Sequence, residues 1–221
     1  MPIGYHRFAG SSLARLAALS DGVFAVAMTL LVLDLKPPSV PKRVQHPVWS
    51  AGGGGSEHAL LHDLAHHVVP RLLPYAMSFL TLGIFWVGQQ TQLSSLTRST
   101  RALTWIHLTF LAAVTLMPFS TGLLAEDTTY KVSMLVYWLN LFALGAVLFI
   151  GLGYADRAGL MSDATTEDMR VAMRHRIVVY QCLYAIAALT CLINTYLAIG
   201  LLIALQLNSV MAPRIGILDR A

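Results

Sequence analysis

The chain has 221 residues, of which 56% are hydrophobic and only 12% are Asp, Glu, Lys or Arg, and its mean hydropathy is +0.64. Soluble domains carry about 25% charged residues, so this composition excludes an ordinary soluble domain and indicates a membrane protein. The net charge of +4 is spread along the chain. It therefore argues against a nucleic-acid partner, because such proteins concentrate their basic residues in a patch or stripe.

Hydrophobic segments of helical length recur along the whole sequence. A membrane span needs about 20 mostly apolar residues, because a helix rises about 1.5 Å per residue and the hydrocarbon layer is about 30 Å thick. The last apolar stretch, Ile177 to Met211, has no formal charge, is too long for one span, and has Asn194 as its predicted turn. The sequence predicts one all-α integral membrane domain with six transmembrane helices, at about 16–35, 72–93, 103–124, 132–154, 177–192 and 195–211.

The segment between the first two spans predicts a mobile outer loop over residues 36–70. Proline and glycine interrupt regular structure, and they are frequent at 37–55. The end of this loop, residues 57–69, fits a short amphipathic helix. Lys and Arg favour the cytoplasmic side of a membrane. With the amino terminus inside, ten of the fifteen basic residues lie in inner segments, so both termini are predicted to be cytoplasmic.

Polar residues outside the first span give little indication of chemistry. His58, His62 and His66 are spaced four apart, and such spacing can bind a metal, but a hydrated histidine face is favoured and no metal site is predicted. The sequence has no nucleophile motif, phosphate loop or paired-cysteine motif. The chain is therefore predicted to be neither an enzyme nor a cofactor-binding protein.

The first span has two different faces. Because a helix has about 3.6 residues per turn, one stripe contains small or medium-sized residues: Gly22, Val26, Thr29, Leu30 and Leu33. The opposite side is bulky, with Phe24, Met28, Leu31 and Leu35. The stripe is interpreted either as a helix-packing seam or as a pore lining whose apolar rings gate by dewetting. The residues alone favour the seam.

The same segment resembles the first helix of the transmembrane protein 175 family, whose members are potassium-permeable channels of lysosomes and bacteria. The matching positions are Arg15, Ser20, Asp21, Gly22 and 29–34, with Leu19 in place of the usual phenylalanine. In the second span, Trp86 and Gln89 resemble the family's Trp-x-x-His, with glutamine in place of histidine. In the third, His107 occupies a position where asparagine is common, and residues 118–121 resemble its Pro-Phe-x-Thr.

The resemblance implies a homotetramer of the cell membrane in which the first helices line a central pore. By position, Val26 is expected at the narrow point, with Leu30 and Leu33 further along the pore and Thr29 beside them. Arg15, Ser20 and Asp21 are expected to brace the helix, with partners on neighbouring helices. The expected partners are Gln89 and His107.

The expected function is a potassium-permeable channel with a hydrophobic constriction. The sequence lacks Thr-Val-Gly-Tyr-Gly, and with it the carbonyl filter of ordinary potassium channels, so modest selectivity is expected. Its partners would be potassium ions, the lipid bilayer and further copies of the chain. Three alternatives stay open: a proton-conducting pore, because Asp21 is near the constriction; a non-conducting assembly protein; and a secondary transporter, which the absence of repeats and of clear mid-span breaks disfavours.

Overall fold

The computed structural model describes residues 13–36, 58, 60–126 and 129–211. Among these residues there are no β-strands, so the described part of the chain is all-helical, as predicted. A 3₁₀ turn, Leu31–Asp34, continues the first helix, and another, Thr190–Leu192, continues the sixth. The α-helices in chain order are α1 Leu13–Leu30, α2 Val69–Ser94, α3 Arg101–Thr115, α4 Met117–Glu126, α5 Lys131–Arg157, α6 Glu167–Leu189 and α7 Thr195–Val210.

Several of these helices are long and apolar enough to cross a membrane. α7 is also apolar but has only 16 residues, about 24 Å of helix, which is less than the thickness of the hydrocarbon layer. By length and composition, the chain is a multi-pass membrane protein. The five segments of spanning length are Leu13–Asp34, Val69–Ser94, Arg101–Glu126, Lys131–Arg157 and Glu167–Leu192.

The third predicted span, 103–124, is interrupted rather than continuous. α3 ends at Thr115, and α4 begins two residues later with Pro118 as its second residue. Proline has no N–H to donate and its ring crowds the preceding turn, so the helix cannot pass through this point unchanged. The Leu116 carbonyl accepts a hydrogen bond from the Ser120 N–H at 3.1 Å. One span is therefore broken, which the sequence did not make clear.

The helix that contains the fifth predicted span, 177–192, begins ten residues earlier than expected. Thr166 caps α6 by accepting a hydrogen bond from the Met169 N–H, so the link between α5 and α6 covers only residues 158–166. Asn194 separates α6 from α7. Its side-chain oxygen accepts from the Tyr196 N–H at 2.8 Å, which is the usual role of asparagine at a helix start. The chain thus breaks at the residue where the sequence predicted a turn.

The predicted outer loop, 36–70, is only partly described. Residues 37–57 lie outside the described residues. Residues 60–70 are helical and include a π-helical turn, Leu64–Val68, which leads directly into α2. This end of the predicted loop is therefore a helix, in agreement with the amphipathic helix predicted for residues 57–69.

The centre of the bundle is α5, which packs against α3, α4 and α6. Five of its side chains are fully buried: Met134, Tyr137, Leu141, Leu144 and Ala155. α7 packs against α2 and α6, whereas α1 packs mainly against α2 and α3. The first helix is therefore at the edge of the bundle, with one face on the protein and the other open.

A buried polar cluster joins α2, α5 and α7. The Tyr137 hydroxyl lies 3.0 Å from the Thr81 hydroxyl, and the Gln206 side-chain N–H donates to the same Thr81 oxygen at 2.6 Å. All three residues are almost completely buried. Because hydrocarbon offers no hydrogen bonds to polar groups, this cluster favours one register of the three helices over others.

Removing one hydroxyl of this cluster tests its contribution. We expect Tyr137→Phe to lower the free energy of unfolding by about 1 kcal/mol, because one buried hydrogen bond is lost while its partner stays buried. Thermal unfolding in detergent measures the change. Tyr130→Phe is the control, since Tyr130 is 64% exposed. Equal unfolding temperatures for both variants and the parent protein would contradict this role.

Candidate functional site

The first helix presents a protein-facing side and an open side. Its buried residues recur every three or four positions and face α2 and α3. They are Leu16, Ser20, Phe24, Ala27 and Leu31. On the opposite side Val26, Leu30 and Leu33 are 57%, 42% and 68% exposed. The structure thus separates the two faces along the lines that the spacing predicts.

The exposed stripe is not packed inside a single copy of the chain. Gly22 and Thr29 are not buried, and a Cβ added at Gly22 would meet no atom within 4 Å. A packing seam between α1 and another helix of the same chain is therefore excluded over the described residues. What remains for this face is lipid, another copy of the chain, or the water of a pore.

Thr29 offers an oxygen on the open face. Its hydroxyl lies within hydrogen-bond distance of two backbone carbonyls of its own helix, Ala25 at 3.0 Å and Val26 at 2.9 Å. The hydroxyl proton is thus donated to the helix, and the oxygen lone pairs are left for a group outside it. Oxygen dipoles of this kind can replace part of the hydration shell of a cation.

Asp21 is held by two side chains of α2. Its Oδ1 accepts from the Trp86 Nε1–H at 2.8 Å and from the Gln90 Nε2–H at 2.7 Å. A carboxylate in a membrane span is costly unless it has partners or water. These two donors meet that requirement at the inner end of α1, according to the predicted orientation.

Gln89, one of the two partners expected for Arg15, Ser20 and Asp21, bonds Ser20. The Gln89 Nε2–H donates to the Ser20 hydroxyl at 2.8 Å, and that hydroxyl lies 3.0 Å from the Leu16 carbonyl. Gln90, the second donor to Asp21, was not predicted from the sequence. A signal was present, because residues four apart share one helix face, and this places Gln90 beside Trp86. Arg15 lies exposed in the first turn of α1.

His107 lies in a separate buried pocket, which Gln89 also lines. It is 3% exposed, its ring is hydrogen-bonded to the backbone of Leu103, and its Nε2 has no partner among the described residues. The Oε1 atoms of Gln89 and Gln92 are likewise without partners there. All three side chains line a cavity of about 10 Å³. This is roughly the smallest cavity that can hold one water molecule. His107 therefore contributes to a polar pocket behind α1.

The carboxyl end of the first helical segment is fixed to α4. The Lys36 ammonium forms an ion pair with the Glu126 carboxylate. Asp34 rests directly on Gly122, where an added Cβ would lie 2.9 Å from the Asp34 carboxylate oxygen. Any larger residue at position 122 would therefore require the Asp34 carboxylate to move.

Metal binding by the outer histidines has no support in the described residues. The rings of His62 and His66 lie 4.2 Å apart, centroid to centroid. Among the residues that the structure describes, no group of three or more His, Cys, Asp or Glu side chains is placed to hold a metal ion.

Known proteins resemble this chain in sequence and in fold. Residues 15–118 match the family described as endosomal/lysosomal potassium channel TMEM175. A protein of Streptomyces collinus named as a potassium channel is 35% identical over 157 residues, which are 69% of each chain. A protein of Gallus gallus named as an endosomal/lysosomal proton channel is 30% identical over 112 residues, which are 51% of this chain and 21% of that protein.

A solved structure extends the likeness to the whole fold. It is described as the crystal structure of a lysosomal potassium-selective channel TMEM175 homolog from Chamaesiphon minutus. The TM-score is 0.71 at 27% identity, over 90% of this chain and 96% of that one. The fold and these matches define a helical membrane protein of an ion-channel class, not an enzyme. The chain belongs to the TMEM175 family.

The hydrogen bonds at Asp21 can be tested by a double-mutant cycle. We expect Asp21→Ala and Trp86→Phe to be coupled by roughly 1 kcal/mol in the free energy of unfolding, because each removes one side of the same bond. Trp105→Phe is the matched control, since Trp105 lies on α3 with 61% exposure. Additive effects of Asp21→Ala and Trp86→Phe would show that the bond does not brace the helix.

Proposed function

We propose that the protein is a potassium-permeable channel of the cell membrane, in which four copies surround a pore lined by α1. Both termini are cytoplasmic and α7 serves as a sixth, short span. Val26 forms the narrowest ring, Leu30 and Leu33 form further apolar rings, and Thr29 lines the pore beside them. Support comes from the family to which the chain belongs and from the open stripe on α1.

One observation carries the proposal, namely the mixed chemistry of the open side of α1. A helix side that faces lipid has no need of polar groups, and ionisable ones there are costly. Here the exposed residues include Asp21 at the inner end and the Thr29 hydroxyl further along. Trp86 and Gln90 bond only one oxygen of Asp21, and the Thr29 oxygen keeps its lone pairs, so water can bond both groups further and lipid cannot. A hydrated pore is thus the environment that suits this side of the helix.

Permeation in such a pore depends on two kinds of ring. The apolar rings resist wetting, so they set the barrier that an ion meets. Four Thr29 oxygens next to the Val26 ring offer dipoles to a cation that has lost part of its hydration shell. Because the sequence has no carbonyl filter, discrimination between potassium and sodium rests on the width of the apolar ring and on these hydroxyls.

Proton conduction is the second candidate. The Gallus gallus relative is named as a proton channel, and Asp21 is a titratable group on the exposed side of α1. Against it, hydrogen bonds from Trp86 and Gln90 hold the Asp21 side chain in one position against α2. Recordings with a pH gradient and equal potassium on both sides distinguish the two, because only proton conduction then gives a reversal potential away from zero.

Single-channel recording of the purified protein in lipid bilayers tests the pore lining. We expect Val26→Ala to raise the unitary conductance, because a smaller side chain widens the ring. We expect Thr29→Ala to lower the potassium-to-sodium permeability ratio by up to about fivefold, which corresponds to the loss of one interaction of about 1 kcal/mol.

Two exposed residues on other helices provide matched controls. Thr109 on α3 also bonds its own helix, at 3.0 Å to the Trp105 carbonyl, and Val178 on α6 is 45% exposed. Thr109→Ala and Val178→Ala should leave currents unchanged. If the α1 variants behave like these controls, the stripe is a contact surface and not a pore lining. If the parent protein carries no current, the channel proposal is contradicted, and a secondary transporter or a non-conducting assembly protein is favoured instead.

The number of copies is a separate prediction. Native mass spectrometry of the detergent-solubilised protein should give a complex of four chains, each of 24.1 kDa. Because an apolar stripe facing a pore requires a closed ring, monomers or dimers as the largest species would contradict the proposed assembly even if currents were observed.

A further inference from the structure

A groove of about 520 Å³ runs between α2, α5 and α6 and opens to the surface of the protein. Two glycines of α2, Gly83 and Gly88, and Gly145 of α5 form part of its walls. An added Cβ at Gly83 would meet no atom within 4 Å, so the space beside it is open. The size is typical of small-molecule binding sites.

One end of the groove is polar and carries a cation. The carboxyl end of α2 lies beside the link that leads into α6, because the Ser162 N–H donates to the Ser95 carbonyl at 2.8 Å and the Thr97 N–H donates to the Leu160 carbonyl at 2.9 Å. The polar residues that line this end are Thr91, Gln92, Arg176 and Ser209.

Apart from Gln181, the rest of the groove is largely apolar. Its lining away from the polar end includes Phe79, Leu80, Ile84, Leu148 and Tyr184. Along α2, the distance from Gln92 to Phe79 is thirteen residues, or about 20 Å. One leaflet of hydrocarbon is about 15 Å deep, half of the total thickness. With its polar end at a membrane surface, a groove of this length extends through one leaflet and slightly past the middle of the bilayer.

At the polar end, the guanidinium N–H groups of Arg176 can donate hydrogen bonds to a ligand. Arg170 and Arg174 both donate to Asp156, at 2.8 and 2.6 Å, whereas Arg176 makes no ion pair with any described residue. Its guanidinium lies 5.9 Å from the centre of the Tyr180 ring, which orients it beside the groove and leaves its N–H groups available. A guanidinium binds phosphate oxygens through paired hydrogen bonds.

We propose that this groove binds an anionic phospholipid from the adjacent leaflet, with its phosphate at Arg176 and an acyl chain between α2 and α6. The positive charge at the polar end and the apolar length beyond it match an amphiphile of that charge. Trp86 also lines the groove, and the same residue donates to Asp21 of α1. A bound lipid would therefore contact the brace of α1, and any effect on currents rests on the proposed function.

Lipid retention in native mass spectrometry tests the site without depending on channel activity. Phosphatidylglycerol and phosphatidylcholine with identical chains are each added to the purified assembly. We expect phosphatidylglycerol to be retained about fivefold more, the ratio expected for one basic residue near an anionic lipid. Arg176→Gln should abolish that preference. Arg98→Gln, an equal loss of charge at an exposed position on the same predicted side, should not.

The second pair of variants tests the apolar part of the groove. Gly83→Leu should reduce retention of both lipids, because the new side chain occupies the open space. Gly153→Leu on α5 is its control, since an added Cβ there also meets no atom within 4 Å and Gly153 does not line the groove.

Three results would overturn the proposal. Equal loss of preference in Arg176→Gln and Arg98→Gln would indicate general surface attraction. Unchanged retention in Gly83→Leu would place the lipid elsewhere. Side chains of a neighbouring copy in this groove, in a structure of the assembly, would make it a subunit contact. Because retention is measured without current, a protein that binds lipid but does not conduct would contradict the proposed function alone.

Discussion

The structure depends on which hydrogen-bond donors a carboxylate inside a membrane helix finds. Asp21 cannot face hydrocarbon at low cost, and it is held by Trp86 and Gln90, while Gln89 bonds the adjacent Ser20. Because a helix is a rigid body that turns about 100° per residue, fixing two neighbouring positions fixes the direction of every other side chain. The open position of Val26 and Thr29 is therefore a consequence of three hydrogen bonds near the other end of the helix.

This constraint reaches the core through α2. One side of α2 carries the donors to α1, and another carries Thr81, which lies in the buried cluster with Tyr137 and Gln206. Hydrogen bonds between membrane helices contribute modest energies individually, but an unmatched polar group in a wrong register is costly. The two sets of bonds together therefore favour one rotation of α2. Through α2, the central helix α5 and the peripheral α7 are linked to the direction in which α1 faces.

Local periodicity was sufficient to predict where apolar helices occur and which side of the first one is exposed, whereas some helix ends and the contacts between distant residues were not predictable. Hydropathy located the helices, and spacing separated the exposed Val26 from the buried Phe24. Gln90 was missed as a donor to Asp21 because Gln89 and Gln90 point in directions about 100° apart around the helix. Only the packing of α1 on α2 determines which of the two glutamines reaches Asp21.

The early start of α6 was missed for a related reason. The charged residues at 167–176 resemble a solvated link between two spans. In the structure, Asp156 at the end of α5 binds both Arg170 and Arg174 and neutralises part of that charge. The helix can therefore begin before the apolar segment, and only the fold brings the carboxylate to these two arginines.

In the proposed pore, the supports of α1 restrict how the channel can close. The helix is tied at its inner end by Asp21 and Ser20, and at its outer end by Lys36 to Glu126. Rotating α1 as a whole would break these contacts together, whereas drying of the Val26 ring would break none of them. Val26 lies five residues beyond Asp21, about 7.5 Å along the axis, so the ring is close to a charged group but outside direct contact with it. Closing the pore by dewetting therefore requires a smaller structural change than rotating α1. Restraining α1 further should still allow the pore to close.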